Sequence, residues 1–273
     1  MTDTEAVRAL FNELAPGYDQ YLNFFATFGS ELVGHCGLKS GQHVLDIGAG
    51  RGAVTIPAAR AVGDGGRVVA IDNAEAMVAA LTRDCACLPQ VDVRMMDAHD
   101  LQFENSSFDV VTCGFVLHFL DDPVQAIQEA HRVLRPGGRL AYCGPPTEAA
   151  ESEKHDTAWD FYPELMREMA GRSGDSGRPE LFTPPPRPLS TLCTEAGFAT
   201  VDHHRASTKF TFRDPEHYWS WSMSHGFRGF VDSLGTELAA EFRDRLFAGL
   251  RTLHDAGGIT VEPNVVFTVA VKQ

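Results

Sequence analysis

The sequence lacks any cluster of basic residues, and positive charge is scarce overall. It contains 23 lysines and arginines against 37 aspartates and glutamates, which gives a formal net charge of −14 at pH 7. Proteins that grip phosphate backbones use lysine and arginine to displace counterions, and a chain this acidic repels polyanions at long range. We therefore expect neither nucleic acids nor anionic membrane surfaces as partners.

Long apolar runs are also missing, and the first residues are polar. A membrane-spanning helix needs about 20 consecutive apolar residues, and a secretory signal peptide places an apolar stretch behind a basic start. The sequence shows neither pattern. We therefore expect a cytoplasmic protein that does not enter a membrane.

Cysteines are few, and they lack the spacing of a zinc site. Of the six cysteines, only Cys85 and Cys87 lie close together, and a single intervening residue is not a zinc-site spacing. Cys113 and Cys143 fall in predicted strands, where cysteine usually packs as a small hydrophobe. We expect structural cysteines and no bound metal.

The most informative run is 44–52, which reads Val-Leu-Asp-Ile-Gly-Ala-Gly-Arg-Gly. An apolar strand that contains Asp46 turns through Gly48, Gly50 and Gly52 into a predicted helix. Glycine permits positive φ and lets a ligand lie against the main chain, and such turns hold nucleotide-like cofactors in open α/β sheets. A pyrophosphate gains nothing from a nearby carboxylate. S-adenosyl-L-methionine (SAM) has no phosphate and carries an ammonium and a sulfonium, so the pattern favours SAM.

The run Asp-x-Gly-x-Gly-x-Gly resembles the first motif of the class I SAM-dependent methyltransferases, and four further motifs of that family follow in order. They are a second strand ending in Asp72 (66–72), a third strand followed by Asp97 (91–96), a fourth strand (108–114) and a helix-to-strand turn (134–140). The resemblance covers 44–144. It is strongest to the ubiquinone and menaquinone biosynthesis type of small-molecule methyltransferase, the type 11-like group.

The resemblance implies roles for individual residues. In the family, the counterpart of Asp72 accepts hydrogen bonds from the ribose hydroxyls, Asp97 accepts from the adenine amino group, and the N–H of Ala98 donates to the ring. The hydroxyl of Tyr18 would approach the methionine end, although ordinary packing is an alternative. The expected cofactor-binding residues are Tyr18, Asp46, Gly48, Ala49, Gly50, Gly52, Asp72, Asn73, Met77, Asp97, Ala98, Cys113 and Gly114.

The alternation of strands and helices predicts an α/β fold. We expect a Rossmann-like, doubly wound, mostly parallel seven-stranded sheet with an antiparallel last strand, plus lid or cap elements. The expected segments are N-terminal lid helices (1–30), a SAM-binding core (31–144), a lid or substrate connection (145–187), a core helix and strand (188–212), a cap insertion (213–263) and the last core strand (264–273). The three segments outside the core can form a lid over the methyl group, or serve as packing elements or a dimer surface. The protein is expected to be a monomer or a homodimer.

The implied reaction is an in-line displacement at the sulfonium methyl by a small, fairly apolar acceptor. Such a reaction needs positioning above all, and a general base only if the acceptor keeps its proton near pH 7. His118, after the fourth strand, is one candidate base, with a place in the cofactor wall as the alternative. His225, in the aromatic-rich stretch 219–228, is the other candidate. The tryptophans of that stretch can instead anchor the insertion on the core.

Three other functions compete with this interpretation. A SAM-binding protein without methyl transfer, acting as a scaffold or a cyclase, would have the same cofactor motifs. A nucleic-acid methyltransferase often carries Asn/Asp-Pro-Pro-aromatic after the fourth strand, where this chain has Cys-Gly-Phe-Val at 113–116. A nicotinamide-dependent oxidoreductase is disfavoured by Asp46 and by the Asp97-Ala98 pair. The nature of the methylated atom, oxygen, nitrogen or carbon, stays open.

Overall fold

The computed structural model describes residues 3–146, 157–173 and 187–273. Its strands are β1 (His43–Ile47), β2 (Arg67–Asp72), β3 (Val91–Met95), β4 (Phe108–Gly114), β5 (Leu134–Gly144), β6 (Phe198–Ser207), β7 (Phe210–Phe212), β8 (Ile259–Val261) and β9 (Asn264–Lys272). Seven of them form one sheet in the order β3-β2-β1-β4-β5-β9-β6. The pairs among β1 to β5 are parallel, and β9 runs antiparallel to β5 and β6. The predicted fold class is confirmed.

The helices are α1 (Asp3–Leu14), α2 (Phe24–Cys36), α3 (Thr55–Val62), α4 (Glu75–Asp84), α5 (Pro123–Val133), α6 (Phe161–Arg172), α7 (Leu189–Glu195), α8 (Pro215–Ser222), α9 (Phe227–Ser233) and α10 (Gly235–Ala256). Local chemistry explains several of their ends. Asp122 caps α5 by accepting a hydrogen bond from the Gln125 N–H, and Pro123 occupies the first turn, where its missing N–H costs nothing. No helix in the described part of the chain is long and apolar enough to cross a membrane.

The central strands are buried on both faces, as expected for a parallel sheet covered by helices. Along β1, Val44 packs into a cluster with Phe28 of α2 and Ala58 of α3. The next residue, Leu45, packs into a second cluster on the other face with Ile127 of α5. Because side chains alternate along a strand, apolar residues at consecutive positions supply both layers of the core. The sheet therefore offers its carboxyl edge, not its faces, to a ligand.

The strand expected in the segment 188–212 is divided in the structure into β6 and β7. β6 pairs with β9 as far as Ser207 and Asn264, where β9 begins. Beyond that point the chain has no partner in the large sheet, and β7 pairs instead with β8 in a small antiparallel sheet. Phe210 and Phe212 are buried there. This small sheet forms the base of the 213–263 insertion.

The insertion contains α8, α9 and α10 besides β8. α10 packs its apolar face inward, with Phe242, Leu246 and Leu250 fully buried. The same cluster includes Leu165 and Met169 of α6, which belongs to the expected connection 145–187. The parts of that connection at 147–156 and 174–186 lie outside the described residues.

Candidate active site

The glycine-rich loop follows β1 and turns over the end of β2. Gly48, Gly50 and Gly52 all have positive φ, at 65°, 52° and 85°, a conformation that side chains rarely adopt. A Cβ on Gly48 would overlap the side chain of Val116. The loop thus has both the conformation and the close packing that only glycine allows.

The loop is tied to the carboxylate at the end of β2. The Gly50 N–H donates to Asp72 Oδ2 at 2.9 Å, and the Ala74 N–H donates to Asp72 Oδ1 at 2.9 Å. Burial raises the pKa of Asp72 even though these N–H groups stabilise its charged form. One hydrogen bond holds each carboxylate oxygen, and each oxygen can accept more.

An open cavity with about 790 Å³ of empty space lies above the carboxyl edge of the sheet. The expected cofactor residues that line it are Tyr18, Gly48, Gly50, Asp72, Asn73, Met77, Asp97, Ala98 and Gly114. A neighbouring cavity of about 830 Å³ is lined by Ala49 and Gly52 and shares five residues with the first. Those five are Tyr18, Gly48, Gly50, Gly114 and Phe115. The structure thus brings eleven of the thirteen expected residues to these two spaces.

The other two expected residues, Asp46 and Cys113, lie beneath the site and not on its wall. Asp46 is 1% exposed. Its Oδ2 accepts from the hydroxyl of Thr55 at 2.5 Å and its Oδ1 from Thr112 at 2.8 Å. Burial raises the pKa of Asp46 to about 6. The expected direct contact between this carboxylate and a cofactor cation is corrected to a supporting role under the loop.

Cys113 is likewise 1% exposed. It packs in the apolar cluster on the α5 face of the sheet, with Leu45 and Leu140. Burial raises the pKa of its thiol well above the usual value, so it stays neutral. It behaves as a small hydrophobe, and its expected place on the cofactor wall is corrected.

The far end of the cavity is formed by Asp97 and its neighbours. The side chain of Asp97 is 52% exposed, and its Oδ1 lies 2.7 Å from His99 Nδ1. The same oxygen accepts the His99 backbone N–H at 2.9 Å. His99 also lines the cavity. This turn fixes the direction of the Asp97 carboxylate beside the opening.

The N-terminal segment is fastened over the glycine-rich loop. Asn12 Oδ1 accepts from the Ala76 N–H at 2.8 Å, which docks α1 on α4. Arg51 donates to the carbonyl of Ala15 at 2.9 Å. Tyr18 stacks on Phe25 with ring centroids 5.0 Å apart. The segment therefore forms one wall of both cavities.

The insertion meets the N-terminal segment above the cavity. Arg228 of α9 forms an ion pair with Glu13 of α1 at 2.7 Å. Phe11 and Phe119 line the cavity and pack edge to face, with centroids 5.6 Å apart. The backbone of Gly226 packs on Phe119, since a Cβ there would lie 3.1 Å from Phe119 Cζ. The two peripheral segments thus meet over the site.

His118 does not line either of these two cavities. It lines a third cavity of about 860 Å³ with Tyr142, His203 and Arg205. Burial lowers the pKa of His118 to about 4. Leu117–Phe119 form one turn of 3-10 helix, and successive side chains of such a turn point in different directions. Phe119 lines the main cavity and His118 does not, so the expected approach of His118 to the methyl group is corrected.

His225 lies between α8 and α9, behind the wall of the cavities. Its ring packs on Trp221 and Phe25, with centroids 4.7 and 6.0 Å apart. Its Nδ1 accepts from the Phe227 N–H at 3.3 Å. Burial lowers the pKa of His225 to about 4, so the ring is neutral near pH 7.

Comparison with known proteins identifies the family. Residues 45–142 match the model of a methyltransferase domain. The chain is 31% identical to nocamycin O-methyltransferase of Saccharothrix syringae, over 91% of this chain and 92% of that protein. The chain belongs to the class I SAM-dependent methyltransferases.

Two further similarities place this methyltransferase among its relatives. It is 28% identical to the ubiquinone/menaquinone biosynthesis C-methyltransferase UbiE of Klebsiella pneumoniae (strain 342), over 73% of this chain and 85% of that protein. The crystal structure of the [4+2]-cyclase SpnF superposes with a TM-score of 0.54 at 19% identity, covering 90% of this chain and 80% of that one; this likeness shows the fold. The match to a third relative, an uncharacterized 37.1 kDa protein in transposon TN4556 of Streptomyces fradiae, covers only 54% of that protein's length.

The cavity of the methyltransferase fits SAM, the cofactor of its family. Asp72 and Asp97 lie on its wall, and no lysine or arginine is among the described residues that line it. A negative wall favours a cationic donor and disfavours a diphosphate. No group of three or more His, Cys, Asp or Glu in the described residues could hold a metal ion.

Sequence reasoning missed several wall residues of the methyltransferase. Phe115 lines both cavities and has a φ of 58°, an uncommon conformation for a residue other than glycine. Phe119 and Val116 also line the main cavity. Their position directly after the fourth strand was a usable signal. Phe11 of α1 lines it as well, and no motif marks that position in the sequence.

Proposed function

We propose that this methyltransferase moves the methyl group of SAM to a small, fairly apolar metabolite by in-line displacement. The observation that carries the proposal is the acidic cavity of about 790 Å³ at the carboxyl edge of the sheet, roofed by Phe11 and Phe119. The names of two relatives support it, since one is an O-methyltransferase for nocamycin and the other a C-methyltransferase of quinone biosynthesis. We place the reaction in secondary-metabolite or quinone-type biosynthesis, in the cytoplasm, with a monomer or homodimer as the working unit.

The proposed cofactor contacts follow from the walls of the cavity. Gly48 and Gly50 offer partly accessible backbone to the methionine part, with Tyr18 beside it. Asp72 accepts the ribose hydroxyls, because each of its oxygens has acceptor capacity left after one backbone hydrogen bond. Asp97 and the backbone of Ala98 bind the adenine. Asn73, Met77 and Gly114 complete the wall.

Bound SAM supplies an activated methyl group, so the task of the protein is to position the acceptor and exclude water. Correct placement of the two reactants can contribute about 7–11 kcal/mol to the lowering of the barrier. The ring of Phe115, shared by both cavities, forms an apolar wall at the end of β4. The contact between Phe11 and Phe119 closes the space above, and a dry site strengthens electrostatic interactions within it.

Neither histidine serves as the general base in this proposal. His118 lies on a separate cavity, and His225 Nδ1 is already used as an acceptor. A pKa of about 4 for both rings is also far below the value that suits proton removal near pH 7. The proposed acceptor therefore reacts as an ionised or intrinsically nucleophilic oxygen, nitrogen or carbon.

Two measurements test the proposal. Isothermal titration calorimetry on purified protein should show micromolar binding of SAM and S-adenosylhomocysteine and no binding of NAD. Mass spectrometry of reactions with a panel of phenols, amines and enolisable acids should then show a product heavier by one methylene unit. Tight NAD binding would refute the cofactor assignment. SAM binding combined with a converted but unmethylated product would favour the cyclase alternative.

A further inference from the structure

Two ring N–H groups are left without partners in the wall behind the site. Trp221 Nε1 and His225 Nε2 are both buried, and neither has a hydrogen-bond partner among the described residues. Nearby hydroxyls are satisfied locally: Ser222 donates to the Tyr218 carbonyl and Ser224 to the Trp221 carbonyl. A buried donor without an acceptor is costly. One incoming oxygen that reaches both donors would satisfy them.

The tautomer of His225 follows from its contacts. Nδ1 accepts the Phe227 N–H, so in the neutral ring the proton resides on Nε2. The indole of Trp221 can only donate. The two side chains, with ring centroids 4.7 Å apart, therefore present two neutral donors and no acceptor.

The surroundings of the pair are aromatic. Trp221 contacts Phe24 and Phe212, with centroids 5.6 and 5.2 Å apart, and His225 contacts Phe25. Phe25 lines the cavity beside the glycine-rich loop. Trp221 and His225 are half-buried as whole residues, but their two donor nitrogens are buried. A flat molecule that lies against the Phe25 side of this aromatic group would bring one polar atom towards the donors and keep one apolar face covered.

The other tryptophan of α8 has a different environment. Trp219 packs on Phe242 and Phe247 of α10, and the guanidinium of Arg243 lies 5.6 Å from its ring centroid. It anchors the helix within the insertion. The same helix thus carries one structural tryptophan and one that contacts the aromatic wall.

We propose that Trp221 and His225 bind a carbonyl or ionised hydroxyl oxygen of a flat acceptor, and so select oxygen-bearing acceptors over counterparts that lack this oxygen. One oxygen has the lone pairs to accept from both donors. A site built to hydrogen-bond an oxygen rejects the analogue without it, because its donors are then left unpaired. The inference rests on the proposed function, since it names the class of acceptor for that reaction.

Fluorenone and fluorene are suitable probes, because both are flat and they differ in one carbonyl oxygen. Equilibrium dialysis measures the binding of each to protein saturated with S-adenosylhomocysteine. We expect the wild-type protein to bind fluorenone at least about tenfold more tightly than fluorene, and the double variant Trp221→Phe/His225→Phe to bind the two equally. His225→Gln, which keeps an N–H donor, should retain part of the preference.

Trp219→Phe is the matched control, since it removes an indole N–H from the same helix and should keep the full preference. Calorimetry with S-adenosylhomocysteine shows that each variant is folded, and the single variants replace the double variant if it is not. The inference is overturned if the wild-type protein binds the two probes equally or binds neither, or if the variants at Trp221 and His225 keep the full preference. If S-adenosylhomocysteine still binds in that case, the proposed function stands. Failure of the wild-type protein to bind S-adenosylhomocysteine overturns the proposed function itself.

Discussion

Replacement of Asp72 by alanine should weaken SAM binding severely. The Asp72 carboxylate accepts two backbone hydrogen bonds, from Gly50 and Ala74, and is proposed to accept two more from the ribose. Each hydrogen bond to a charged group contributes about 1.5–3 kcal/mol. Loss of the two proposed ribose contacts therefore corresponds to about 3–6 kcal/mol, or about a hundredfold to ten-thousandfold in Kd. Isothermal titration calorimetry with SAM measures this change directly.

Two further variants separate this effect from general damage to the loop. Asp72→Asn keeps the shape and one acceptor oxygen, so its Kd should lie between those of the wild type and Asp72→Ala. Asp244→Ala removes an exposed acid from α10 and should leave the Kd unchanged. A Kd for Asp72→Ala within threefold of the wild type would show that this carboxylate does not hold the cofactor.

Three other predictions concern stability, lid closure and catalysis. Burial raises the pKa of Asp46 from its ordinary value of 3.8 to about 6 in the folded protein, so the ionised carboxylate destabilises the folded state. Asp46→Asn removes this ionisation. Urea unfolding should therefore show that the variant is more stable than the wild type by about 2–3 kcal/mol above pH 6. That advantage should disappear as the pH falls through 6 to below 4, and an advantage independent of pH would contradict the buried charge. Glu13→Ala breaks the ion pair with Arg228. Because exposed ion pairs contribute little to stability, the Tm should hardly change, whereas stopped-flow measurements should show faster release of S-adenosylhomocysteine. An unchanged release rate would exclude a role of this ion pair in closure. His118→Ala should keep kcat within a few-fold of the wild type, because His118 lies on another cavity; a loss above a hundredfold at unchanged SAM affinity would restore His118 as the base.

The sequence was sufficient to locate the central strands along the chain and the start of α5. Glycines with positive φ, strand-terminal acids such as Asp72, and the Asp122-Pro123 start of α5 are local signals with direct structural causes. These features do not depend on what the rest of the chain does. They were therefore predictable one segment at a time.

The positions of Asp46 and Cys113 were not predictable in the same way. A parallel strand buried on both faces has apolar residues at consecutive positions, so no alternation of polar and apolar residues shows which side chain reaches the edge. Asp46 is held by Thr55 and Thr112, which are distant in sequence. Only the assembled sheet brings these three together.

The peripheral segments were recognisable as additions, but their contacts were not. Phe25 and His225 are separated by most of the chain, yet their rings are 6.0 Å apart. β6 ends where its partner β9 begins, and the residues of β6 do not show where that partner begins. Tertiary pairing decided these features.

The contact of α1 with both α4 and α9 has a kinetic consequence. The same helix is fastened on one side near the nucleoside end, through Asn12 and Ala76, and on the other to the cap, through Glu13 and Arg228. In the proposed reaction, we expect the spent cofactor to leave only after α1 detaches from both neighbours, and a methylated product beneath the proposed cap to leave once the second contact breaks. Turnover should accordingly be sequential, with the modified metabolite released first and S-adenosylhomocysteine last.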